Sequence, residues 1–271
     1  MPKYLLRLAF VGSRYAGWQY QPDQATVEAE LKQVLAKLYP EGGVTIQGAS
    51  RTDAGVHALD LCAAVTVPET PPIPPNGLQH AITNMLPASV TLHSLEVVPA
   101  EFNVHGNRGK AYCYLLNRGK FSPFLHPYTW HQPELNHWDA MEEAGKAFVG
   151  EHDFLAFTVG FERQNRENSV RTIYSLSFQD WGDIVGITIC GNGFLYRMVR
   201  RIVGFLVAVG NGRLSPVMAR ELLLHGPKQS IQFNTAPSRG LFLVRTFFEE
   251  DPERFQITTP PFMADLNLEL G

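Results

Sequence analysis

The 271-residue chain has few cysteines, only Cys62, Cys113 and Cys190. They are odd in number, far apart and set in strand-like runs. That argues against a disulfide framework or a thiolate zinc site, and points to buried free thiols in a reducing cytoplasm. The chain also lacks a long apolar run. The one stretch of note, Ile202 to Gly210, is far short of the roughly 20 residues a membrane span needs. The first ten residues, MPKYLLRLAF, hold Arg7 inside their apolar run and show no small-residue cleavage site, so they read as a first strand rather than a signal peptide. Cofactor-binding motifs are missing as well.

Acidic charge is missing from one long region. Ile184 to Arg220 holds five arginines (Arg197, Arg200, Arg201, Arg213 and Arg220) and no acid. Acids gather instead in the tail, Phe248 to Gly271, where six of them against one arginine give a net −5, so the remainder carries +2 against the total of −3. A basic stripe on a near-neutral body suits a phosphate-bearing partner.

What is present suffices for a packed core: 45% of residues are hydrophobic and 18% are charged. The length fits one large domain or two small ones. Strands are expected at Leu5–Val11, Val44–Gln47, Leu59–Val67, Val90–Val98, Lys110–Asn117, Val170–Gln179, Ile184–Cys190 and Leu241–Phe247. Thr26 can cap a helix beginning at Val27, because Val27, Leu31, Val34, Leu35 and Leu38 fall on one helical face. Further helices are expected at Gly77–Met85, His137–Phe148, Phe194–Val209 and Val217–Leu224. Strand pairs mixed with helices indicate an α+β fold, a mixed and largely antiparallel sheet flanked by helices. The division expected is an N-terminal half at 1–105, a C-terminal half at 106–247 and an acidic, Pro-containing tail at 248–271, read as an arm.

The densest chemistry lies in SRTDAGVHALD, Ser50 to Asp60. A metal could use Asp53, His57 and Asp60, but Gly55 weakens a helix there and no second ligand cluster completes a shell. A phosphate loop needs more than Gly48 and Gly55, and no Lys-Ser/Thr pair follows them. A third reading is a catalytic carboxylate. On extended chain Arg51 and Asp53, two apart, face one side, so the guanidinium could hold the carboxylate ionised and oriented. Gly55 permits a tight turn after it. Residue types alone leave that reading level with a strand-end salt bridge.

Two other segments bear on a phosphate partner. In FLYRMVRR (Phe194 to Arg201), Leu195, Met198 and Val199 belong to an apolar helical face and Arg197, Arg200 and Arg201 flank it. A solvated basic edge is the plain reading, but Arg200 could reach inward to a carboxylate or phosphate. In KAYCY (Lys110 to Tyr114), Tyr112 and Tyr114 share one strand face beside Lys110. Such residues stack on bases and touch phosphates, or fill a core.

Taken in order, YAGWQYQP, TVEAEL, RTDAGVHA, NMLP, KAYCY, HDFLAF, VRTI, FLYRMVRRIVG and GLFLVR resemble the tRNA pseudouridine synthase A (TruA) family over about residues 4 to 247. The resemblance implies a pseudouridine synthase fold of two similar α/β halves with a central active-site cleft. It implies a cytoplasmic homodimer, free of cofactor and metal, that isomerises uridine to pseudouridine at positions 38, 39 and 40 of the tRNA anticodon stem-loop. Asp53 matches the catalytic aspartate and Arg51 the arginine of its motif. Tyr112 matches the tyrosine that contacts the target base, and Arg200 the arginine that pairs with the catalytic carboxylate. Tyr15 and Gln19 fall in an RNA-contacting stretch, while Lys110 and Arg201 are the adjoining cations expected to bind substrate. Two departures stand out. Ser50 replaces the glycine that usually precedes the motif, and FNVHGNRGK carries His105 where an arginine is usual and is one residue short.

Overall fold

The computed structural model describes residues 1–159, 169–228 and 230–263. In chain order the elements are β1 (Lys3–Phe10), α1 (Val27–Leu38), β2 (Thr45–Gly48), β3 (His57–Thr66), α2 (Pro75–Met85), β4 (Val90–Val98), β5 (Gly109–Asn117), β6 (Trp130–His131), α3 (Trp138–Lys146), β7 (Gly150–Asp153), β8 (Val170–Trp181), β9 (Ile184–Gly191), α4 (Met198–Gly210), α5 (Met218–His225) and β10 (Leu241–Phe247). Antiparallel pairing predominates, so the α+β class expected from the sequence is what the chain adopts.

The chain forms two compact units. The first comprises Met1–Asn107 together with Phe242–Phe248, and the second Arg108–Leu241 together with Glu249–Gly271. The sequence reading placed residues 242–247 in the second half. Chain order could not show that β10 pairs in parallel with β3, Phe242 opposite His57 and Leu243 opposite Ala58.

In the first unit β1 lies between β3 and β4, antiparallel to both, and β2 adds to β3. Its strands bury Leu6, Leu8, Leu61 and Cys62 almost completely. Removing such side chains from water stabilises by about 1.5–3 kcal/mol each before entropy is counted. α1 begins where expected because Thr26 Oγ1 accepts the Ala29 N–H at 3.3 Å. Glu28 and Glu30 in its first turn oppose the positive end of the helix dipole.

In the second unit β5 and β8 flank β9, all antiparallel, with β7 on β8 and β6 parallel to β5. α4 is buried along nearly its whole length. It starts at Met198 rather than at the expected Phe194, because Arg197 sits in the left-handed region at φ 58° and ends any earlier helical turn. The short strands β6 and β7 were not anticipated, since two and four residues are too few for a periodic signal. The tail is not a free arm as far as Met263. Cys190 Sγ donates to the Pro252 carbonyl at 3.1 Å, Trp181 Nε1 to the Thr258 carbonyl at 2.9 Å, and Phe262 stacks near Tyr128.

Candidate active site

Asp53 sits on a turn built by its neighbours. Its carbonyl accepts the Val56 N–H at 3.2 Å, and Gly55 takes φ 81°, a value that favours glycine. The loop carrying Tyr15 to Trp18 holds this turn from one side. Gly55 N–H donates to the Tyr15 carbonyl at 3.2 Å and Trp18 N–H to the Thr52 carbonyl at 3.3 Å. The approach is close enough to require glycine twice. A Cβ on Gly12 would fall 1.9 Å from the Val56 carbonyl oxygen, and one on Gly17, at φ 105°, 2.4 Å from that of Thr52. Burial alternates along the motif: Ser50 and Thr52 face inward, Arg51 is exposed and Asp53 is half-buried. The Ser50 and Thr52 hydroxyls are buried without a hydrogen-bond partner among the described residues.

Asp60 and His57, in the same eleven residues, serve other ends. The Asp60 carboxylate is buried and accepts Arg7 Nη1 at 2.7 and 3.0 Å and the Thr246 N–H at 3.0 Å. Arg245 Nε lies 3.8 Å away. His57 Nδ1 accepts the Gly12 N–H at 3.2 Å, and its ring stacks on Phe242 at 4.6 Å. Among the described residues no group of three or more His, Cys, Asp or Glu side chains is placed to hold a metal ion.

Two of the expected substrate contacts in this unit differ in placement. Gln19 is exposed. Tyr15 is buried, its hydroxyl 2.6 Å from Ser89 Oγ, and burial pushes the phenol above its ordinary value while the Ser89 hydrogen bond partly offsets this. Its phenol braces the loop; its backbone carbonyl is what meets the Asp53 turn.

The second unit carries the cations and aromatics. Tyr112, on β5, has its ring edge-on to Phe194 at 5.2 Å. Lys110 precedes it on the same strand face, half-exposed. Both tyrosines are buried; Tyr114, fully so, donates to the Pro237 carbonyl at 2.8 Å. Arg200 Nε donates to the Ala236 carbonyl at 2.8 Å, and its own carbonyl accepts the Ala236 N–H at 3.0 Å. The segment around Ala236 thereby fixes the arginine stem against α4, where Gly204 lets the backbone of Asn234 approach. Arg201 is turned to structure. It donates to the Phe233 carbonyl at 2.9 Å and lies 3.9 Å over the Phe233 ring, and burial lowers its proton affinity. No acid stands in the first turn of α4, so the positive end of that helix adds to Arg197 and Arg200.

Comparison with known proteins decides what this arrangement belongs to. A tRNA pseudouridine synthase family profile matches residues 144–249. A tRNA pseudouridine synthase A of Listeria monocytogenes is 36% identical over 92% of this chain and 100% of its own length. The chain belongs to the tRNA pseudouridine synthase A family. Further relatives of that name, from Methylacidiphilum infernorum and Aquifex aeolicus, are each 36% identical, over 92% and 90% of the chain and 97% and 98% of their own lengths. As a member of that family the chain is an isomerase. Sequence reasoning passed over the glycines at 12 and 17. The signal was there, glycines within a loop of otherwise bulky residues, but their partner segment lies some forty residues away.

Proposed function

We propose that the chain converts uridine to pseudouridine in the tRNA anticodon stem-loop, at positions 38, 39 and 40, acting in the cytoplasm as a homodimer. Asp53 is the catalytic carboxylate. In the reaction the N1–C1′ bond of the nucleotide breaks and a C5–C1′ bond forms, the C5 proton leaves and N1 regains one, so no oxidant or hydrolytic water is consumed. A carboxylate can start this by adding to C6, by attacking C1′ or by removing the C2′ proton. The target uridine must first leave its stack, at a cost of a few kcal/mol. Aromatic and cationic side chains offset that by stacking and phosphate contacts. By the family resemblance Tyr112 is the base-contacting tyrosine and Arg200 an arginine of the site, and Arg51, exposed two residues before Asp53, helps organise it.

The observation that supports this reading most is the setting of Asp53. It is half-buried on a turn fixed by backbone bonds. The test is to map pseudouridine in tRNA from cells lacking this chain and from the same cells supplied with wild type or Asp53→Asn. Loss at 38, 39 and 40, restored by wild type alone, is expected. Unchanged pseudouridine at those positions would overturn the site choice.

A further inference from the structure

One arginine outside the expected set shares the sheet face of Tyr112. Residues directly opposite in an antiparallel ladder point to the same side, as do residues two apart on a strand. Lys110 stands opposite Gly191 and Tyr112 opposite Ile189. Gly191 in turn stands opposite Ile173, two residues after Arg171, and the irregularity in β8 comes only after Ile173. Lys110, Tyr112 and Arg171 therefore face one way. The loop after β9 agrees. A Cβ on Gly191 would lie 3.3 Å from the Phe194 ring that meets Tyr112, and one on Gly193 would lie 3.8 Å from Arg171 Cδ and Nε. Phe194 and Gly193 thus bridge from the tyrosine to the arginine. Arg171 is half-buried and held in place, Nη1 donating to the Val170 carbonyl at 2.7 Å. With β9 between them, β5 and β8 lie about 10 Å apart at the usual strand spacing, a separation suited to a base at one position and its flanking phosphate at the other.

We propose that Arg171 is a substrate-backbone contact, its guanidinium binding a phosphate next to the nucleotide that Tyr112 touches. The inference rests on the tRNA reading above. A planar guanidinium matches a phosphate with two parallel hydrogen bonds, which a lysine cannot reproduce. A contact to phosphate carries no base information, so it acts on binding and register rather than on the chemical step.

The experiment is a salt titration of tRNA binding, with steady-state kinetics, for wild type, Arg171→Ala and Arg171→Lys. The alanine variant is expected to weaken binding about tenfold, and to lower the slope of log Kd against log salt by about 0.7–0.9, the share of one phosphate contact. Its kcat should stay within about twofold, because the contact is made equally before and during reaction. The lysine variant should recover the slope and only part of the affinity. Wild-type Kd and slope in Arg171→Ala, or a fall in kcat at unchanged Kd, would overturn the inference. If the wild-type protein forms no pseudouridine in tRNA, the underlying reading fails instead, and the two failures are thus distinguished.

Discussion

Asp53 and Asp60 lie seven positions apart, and each has an arginine within the same unit, yet their surroundings differ throughout. Asp60 is buried, receives the Arg7 guanidinium, the Thr246 N–H and the neighbourhood of Arg245, and ties β1, β3 and β10 together. Asp53 is half-buried on a turn whose geometry is fixed by backbone groups of Tyr15 and Trp18. One carboxylate is spent on holding strands. The other sits half-buried on a turn that backbone groups of a neighbouring loop hold in place. The glycines at 12 and 17 let the backbone approach that turn closely.

Neutralising each aspartate in turn separates their roles. Asp53→Asn is expected to reduce pseudouridine formation by at least about 10³-fold, with an unfolding midpoint and tRNA affinity close to wild type. Asp60→Asn should do the reverse. It removes the buried carboxylate that Arg7 and Arg245 face, and unfolding should become easier by about 3 kcal/mol in a denaturant titration, with activity retained in whatever fraction stays folded. Next in size, Gly17→Ala pushes a Cβ against the Thr52 carbonyl in a backbone region unfavourable to alanine. Displacing the Asp53 turn should cost about 10²-fold in rate, while affinity for tRNA changes less. The smallest effect concerns His93, whose proton affinity burial lowers, against an opposing pull from Asp60. The folded state prefers the neutral ring. Stability from this group is present above its ordinary value near 6.5 and is lost as pH falls through the lowered value. Unfolding midpoints measured from pH 7.5 to 5 should fall more steeply for wild type than for His93→Gln.

The sequence was informative wherever a local rule decided the outcome. Thr26 and the apolar spacing after it set α1, and alternation set β4 and β5. It was weaker where a distant partner decided. The parallel pairing of β10 with β3, the inward turn of Tyr15 onto Ser89, and the use of Arg201 on Phe233 all depend on residues remote in the chain. The start of α4 was missed for a local reason: an arginine in the left-handed region is not signalled by residue type. In the motif itself, Ser50 has a physical position, buried with its hydroxyl inward beside Thr52, but nothing in the structure explains the preference for serine there.

The role proposed for Asp53 is chemistry rather than support of the fold. The most direct measurement is a single-turnover assay of Asp53→Asn, with enzyme in excess over tRNA and binding verified in the same sample. Full complex formation with no pseudouridine above background, from a protein that unfolds where wild type does, is the expected result. Pseudouridine formed at a rate near wild type would place the chemistry elsewhere than on Asp53.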